Sequence, residues 1–202
     1  MTNRREVLRI GAALPAWSLS TVPFAGALGA GEGNTLTLER FVFDVRFAEP
    51  GAAAKRLEQR GVRLAAIADD LMALWYDELD LAWRKAPMAL GGLTLPETLF
   101  VLETFALDRS MHVVYRGEHG LVENGRIQHR VAGPAALIAR LQPLAPPWES
   151  TLAEALTACP LGSPEIVRAE LVSDGAALSL RDMPLVSWII APRSAVTSKV
   201  SS

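Results

Sequence analysis

The chain carries a single cysteine, Cys159, so no disulfide can form within it. Small domains that rely on disulfides carry their cysteines in pairs, and this chain must instead be held by its core. Cys159 stands just before Pro160 with no histidine near it in sequence, and it reads as a small apolar residue ending a helix rather than as a nucleophile. An excess of basic charge is also absent. The formal balance is −2, without the clustered positive face that nucleic acid selects or the polybasic run that anionic lipid attracts. Only three histidines occur, and no H-E-x-x-H, C-x-x-C or paired Cys/His tract organises them, so no metal is expected. The G-x-S-x-G elbow and the Walker lysine loop are missing as well. Gly26, Gly29, Gly31 and Gly33 look like a phosphate loop only at a glance, because the spacing is wrong and no strand precedes them. No cofactor is expected on these grounds.

What is present describes a globular chain. Half of the 202 residues are hydrophobic and 21% are charged, which excludes disorder as the main state and suits a single domain with appendages.

The first residues carry the sharpest pattern. Asn3-Arg4-Arg5-Glu6-Val7-Leu8-Arg9 places two arginines after a polar residue and before two apolar residues and a basic one. An apolar stretch follows from Ile10 to Leu28, interrupted by Pro15 and Pro23 and ending in Ala25-Gly26-Ala27, a small-x-small cleavage pattern. The segment resembles the signal peptides of bacterial proteins exported by the twin-arginine route. The match departs from the usual pattern at Asn3 and Val7. The resemblance covers residues 1–27 and implies recognition of Arg4 and Arg5 by the twin-arginine translocase, export in the folded state, and residence in the periplasm. Contact with the membrane would then be transient. The alternative is an uncleaved membrane anchor, since about 19 residues is near the minimum for spanning, but the prolines, glycines and hydroxyl residues keep the stretch only modestly hydrophobic. The resemblance carries no residue of a reaction with it.

The expected organisation is a signal over 1–27, a flexible linker over 28–35, an α/β domain over 36–192 and a loose tail over 193–202. Leu36 to Phe47 reads as a strand and Glu49-Pro50 as the start of a helix that Gly61 ends. Val62 to Ala68 reads as a buried second strand, completing a β-α-β unit. Asp69 or Asp70 caps a helix to about Arg84, in which Leu71, Trp75, Leu79 and Trp83 recur every four residues as its core face. A strand from Ala86 to Gly91 precedes a helix that Thr94 and Glu97, spaced as a capping box, open, that carries Leu99, Phe100, Leu102, Phe105 and Ala106, and that ends near Ser110. His112 to Tyr115 reads as a fourth strand. Asn124-Gly125 is the best hairpin signal in the chain. Taken as a two-residue turn, it pairs Gly120 with His129 and His119 with Arg130, which places His119 and His129 on opposite faces of the sheet. A helix to about Leu141 and another from Thr151 follow, the latter with a Thr151/Glu154 capping box. A second hairpin is expected around Asp174-Gly175, and Leu185 to Ile190 forms a last strand. The expected fold is a mixed α/β sheet, parallel in its first half and antiparallel in its second, with helices packed on it.

In such sheets ligands bind beyond the carboxyl ends of parallel strands. That edge gathers Asp44 to Phe47, Asp69 and Asp70, Gly91 to Thr94 and Arg116 to His119. Asp69, Arg116 and His119 are the candidates for acid/base or charge roles. Gly91, Gly92 and Thr94 are the candidates for holding an anion at a helix start. Each has a structural alternative: capping for Asp69, Asp70 and Thr94, a tight turn for the glycines, and a surface pair for Arg116 with Glu118.

Two functions of different class fit. The first is a non-catalytic accessory or small subunit that travels with an exported redox enzyme, since folded export serves cofactor loading and shared-signal complexes. The second is a small periplasmic enzyme using His119 or Asp69 as acid/base at the strand ends. A small-ligand-binding module is a third, weakened by the lack of a second lobe.

Overall fold

The computed structural model describes residues 35–68, 70–121, 125–142, 144–160, 165–174 and 183–192, all within one compact unit, Glu32–Ser202. The signal, Arg4 and Arg5, Asp69, and the strand expected after Asp174-Gly175 lie outside these residues. Among the described residues, no helix is long and apolar enough to cross a membrane.

The fold is α/β, built on one mixed sheet with helices on both faces. The strands are β1 (Thr35–Asp44), β2 (Arg63–Ile67), β3 (Ala89–Thr94), β4 (Met111–Leu121), β5 (Ile127–Pro134), β6 (Ala158–Pro160), β7 (Ile166–Ser173) and β8 (Leu185–Pro192). Their order across the sheet is β2-β1-β3-β8-β4-β5-β7, with β6 pairing to β1. The first three strands are parallel, and the rest pair antiparallel. The last strand in sequence is thus inserted between β3 and β4. It is antiparallel to both, so β1, β2, β3 and β4 all point the same way without β4 touching β3.

β8 can occupy the centre because both of its faces are apolar. Leu185, Ile189 and Ala191 belong to the core under α1 (Ala48–Glu58), α5 (Ala135–Leu141) and α6 (Trp148–Thr157), while Val186, Trp188 and Ile190 belong to the core on the opposite face. A strand buried on both sides reads as one continuous apolar run. The opposite face is covered by α4 (Pro96–Leu107) and by a helical run made of α2 (Leu71–Leu74), a π-helical segment Trp75–Leu79, and α3 (Asp80–Lys85). Asp70 caps this run, accepting hydrogen bonds from the backbone N–H groups of Met72 and Ala73.

The π segment has a physical origin in the four-residue spacing of the core face. In a regular α-helix the eight residues from Trp75 to Trp83 advance about 800°, roughly 80° past two full turns, so the two indoles would diverge. One wider turn absorbs the excess. Trp75, Leu79 and Trp83 all remain buried, and Trp75 stacks on Phe105 of α4.

Three local expectations are corrected. Thr94 does not cap α4: the residue before the helix is Leu95, which makes no side-chain cap, and Pro96 opens the first turn. Thr151 lies inside α6, which begins three residues earlier at Trp148. Cys159 does not end a helix but sits in β6, opposite Leu36 of β1. There burial pushes its thiol up to about 12, which suits a packed apolar residue.

Candidate functional site

β4 is a single eleven-residue strand, where the sequence suggested a short strand and a separate hairpin arm. Its pairing with β5 decides the site. Leu121 faces Ile127, Gly120 faces Gln128 and His119 faces His129. The connection therefore spans five residues, and the register differs by one from that of a two-residue turn at Asn124-Gly125. A one-residue shift turns every side chain to the other face. The expectation that His119 and His129 point apart is overturned: they are directly opposite and on the same face. The reason is burial. This register places Ile127, His129 and Val131 inward and leaves Gln128 and Arg130 outward, whereas the shorter turn would pair Arg130 with the inward-facing His119.

The result is a chain of buried polar groups beneath α6. Tyr115 Oη lies 3.0 Å from Ser187 Oγ, and Ser187 Oγ lies 2.7 Å from His119 Nε2. His119 Nδ1 lies 2.7 Å from His129 Nδ1, and His129 Nε2 lies 2.8 Å from Ser173 Oγ. The indole of Trp148 covers both imidazoles, with ring centroids 4.6 Å and 5.1 Å away. His119 is 2% exposed, and His129 and Ser187 are fully buried. Gly117 makes the space, because a Cβ there would stand 2.6 Å from Ser187 Oγ and 2.7 Å from the tyrosine oxygen.

Two neutral imidazoles satisfy every contact. Running from Tyr115, its hydroxyl donates to Ser187, Ser187 donates to His119 Nε2, His119 Nδ1–H donates to His129 Nδ1, and His129 Nε2–H donates to Ser173. The opposite sense reverses each donor. A second added proton is excluded, since both Nδ1 atoms would then carry hydrogen toward each other. Burial holds the His119 pKa well below that of a free imidazole, and the neighbouring His129 adds to the effect. Burial alone pushes His129 down to about 4. Tyr115 is pushed upward by burial, against the opposing hydrogen bond from Ser187. The network is therefore neutral near pH 7, with a serine oxygen hydrogen-bonded to an imidazole that is itself held by a second one. That is the arrangement of a nucleophile, a base and an orienting group, here closed over by Trp148.

The other candidates are dispersed. Gly91 and Gly92 are interior residues of β3 and not a loop at a helix start. A Cβ on Gly91 would meet Leu38 at 2.9 Å, and one on Gly92 would meet the Trp188 indole at 2.3 Å, so both glycines admit core side chains. Thr94 accepts a hydrogen bond from Trp188 Nε1 and donates to the Leu95 carbonyl. Arg116 lies on the outer face of β4, 3.4 Å from Glu118, and so on the opposite side of the sheet from His119. Arg116 and His119 therefore do not share a face, and Asp69 lies outside the described residues. Asp44 does stand at the carboxyl edge, fully buried, and accepts hydrogen bonds from the Arg46 backbone and guanidinium.

Three depressions lie among the described residues. One of about 390 Å³ at the carboxyl end of β4 is lined by Glu118, His119, Gln128, Arg130 and Pro184 among others. Another of about 310 Å³ lies over β4, β5 and β7, and one of about 360 Å³ lies beside α4. Among the described residues no group of three His, Cys, Asp or Glu could hold a metal ion.

Sequence reasoning missed His129, Ser187, Ser173, Tyr115 and Trp148. The usable signal was the alternation Tyr115-x-Gly117-x-His119 set beside Ile127-x-His129-x-Val131, which places both histidines inward as soon as the apolar neighbours are given the core. Comparison with known protein families, curated proteins and solved structures finds no match to this chain.

Proposed function

We propose that the protein is exported folded to the periplasm by the twin-arginine translocase and serves there as a non-catalytic partner subunit of an exported redox enzyme. The observation that carries this reading is the closure of the buried network. The one arrangement of serine and imidazole suited to covalent chemistry among the described residues is buried, with Trp148 over the imidazoles. A second observation points outward: Phe100 on α4 is 71% exposed and Leu107, two turns along, is 57% exposed. These two apolar side chains lie on one solvent-facing side of the helix, where a partner could cover them.

Native mass spectrometry of the protein taken from the periplasm tests the reading. The expected result is a stoichiometric second chain, together with loss of both from the periplasm when Arg4 and Arg5 are replaced by lysine. A monomer alone would overturn it.

A second reading has its own support. Ser187 Oγ stands 2.7 Å from His119 Nε2, and His119 also lines the depression of about 390 Å³ at the carboxyl end of β4. A small periplasmic enzyme would use His119 to take the Ser187 proton as the oxygen attacks an electrophilic carbonyl. Labelling of Ser187 by a fluorophosphonate, abolished in His119→Ala, would establish this reading and displace the first. An unlabelled serine in the folded protein removes it.

A further inference from the structure

On the outer face of β4, β5 and β7 the register sets side chains in rows across the three strands. Arg116, Ala132 and Arg168 form one row, and Glu118, Arg130 and Glu170 form the next. In the second row the central Arg130 lies 3.5 Å from Glu170, while Glu118 reaches back 3.4 Å to Arg116. Both glutamates are thereby matched. Arg168 has no hydrogen-bond or ion-pair partner among the described residues, so the five charges leave one guanidinium over. Between Arg116 and Arg168 stands only the methyl group of Ala132. Two strand spacings set their Cα atoms about 10 Å apart, and the depression of about 310 Å³ lies over this row. A planar guanidinium on each side of a small residue is a geometry that grips a carboxylate by paired N–H donors.

The site does not end at Arg116. That residue also borders the neighbouring depression of about 360 Å³, where Pro96, Phe100 and Val101 supply an apolar wall and Glu97 and Glu103 a negative one. The two depressions adjoin at Arg116, the one toward Arg168 polar-cationic and the one toward Phe100 apolar with acidic flanks. An acidic group would be repelled at the Phe100 end and held at the Ala132 end. An extended segment spans both, which a free anion the size of phosphate does not.

Resting on the reading of the protein as a partner subunit, we propose that these two adjoining depressions dock an acidic segment of the partner polypeptide, with a carboxylate over Ala132 between Arg116 and Arg168 and an apolar side chain against Phe100. The test uses the full chain and a fluorescein-labelled ten-residue peptide with glutamates in one half and a phenylalanine among serines in the other, followed by fluorescence polarisation. Saturable binding is expected, weakened at least tenfold by Arg116→Ala/Arg168→Ala. The same loss is expected in Ala132→Glu, which fills the notch while keeping both arginines, with thermal stability retained in each case. The same peptide with glutamine for glutamate should bind at least tenfold more weakly.

Equal binding of the glutamine peptide, or unchanged binding by both variants, overturns the proposal. So does displacement of the peptide by inorganic phosphate or glutarate at the peptide's own concentration, which would make this a small-anion site. The outcomes also separate the two levels of argument. A periplasmic companion that stays bound to the Arg116→Ala/Arg168→Ala variant defeats the docking chemistry and leaves the partner reading standing. Absence of any companion defeats the partner reading even where the peptide binds.

Discussion

The same three strands, β4, β5 and β7, present two opposite kinds of polar surface. Inward they carry Tyr115, His119, His129 and Ser173, which with Ser187 of β8 form a neutral, fully hydrogen-bonded chain under Trp148. Outward they carry Arg116, Glu118, Arg130, Arg168 and Glu170, all exposed and mostly paired as ions. The difference follows from the medium. In a low-dielectric interior an unpaired polar group is costly, so the groups buried there are neutral and linked end to end. In water the same strands can hold ions whose pairing contributes little to stability and whose arrangement is free to serve recognition. Stability is expected to depend on the inner set and binding on the outer.

The largest effect should come from opening the inner face. Trp148→Ala removes the cover over both imidazoles and is expected to destabilise the fold by about 3–5 kcal/mol, measured by urea unfolding. An effect under about 1 kcal/mol would mean that the indole is not part of the packed core.

Acid should come next. The His129 pKa in the folded state, about 4, lies below the 6.5 of a free imidazole, so the unfolded chain binds more protons between those values. The stabilisation is complete above about pH 6.5 and is lost as the pH falls toward 4. One such group contributes up to about 3 kcal/mol, and His119 acts in the same direction. Unfolding free energy that stays flat from pH 7 to pH 4 would contradict the buried, neutral pair.

Ser187→Ala strands His119 Nε2 and the Tyr115 hydroxyl and should destabilise by about 1–3 kcal/mol. On the outer face, Glu170→Ala removes a partner from an exposed ion pair and should change stability by less than about 1 kcal/mol. Calorimetry on the two variants side by side tests the contrast, which fails if the outer substitution proves the more damaging.

Much of this architecture was legible in the residues. The run from Leu36 to Phe47 marked β1, the β-α-β unit implied the parallel start, and Trp75, Leu79 and Trp83 at fixed spacing marked a core face. Asp70 was legible as a cap because its carboxylate precedes an apolar helix. The position of β8 was not: nothing in Leu185 to Ile190 says that a strand so late in the chain lies between β3 and β4, beyond its being apolar on both sides. The candidate site was misplaced for a sharper reason. Asn124-Gly125 favours a tight turn, and local turn preference amounts to less than the burial of Ile127 and Val131 against the core. The longer connection won, and with it His129 moved to the face of His119. Thr94 and Gly92 were misread for a related reason, since their roles depend on Trp188, nearly a hundred residues away.

The sealed, neutral histidine pair is the centre of the structure described above, and ¹⁵N-detected NMR of the two imidazoles across pH 4 to 8 measures it directly. The account predicts that both rings remain neutral to below pH 5, each with one protonated nitrogen, and that their Nδ1 atoms share a hydrogen bond. Titration of either ring near pH 6.5 would place it in contact with water and contradict the sealed network.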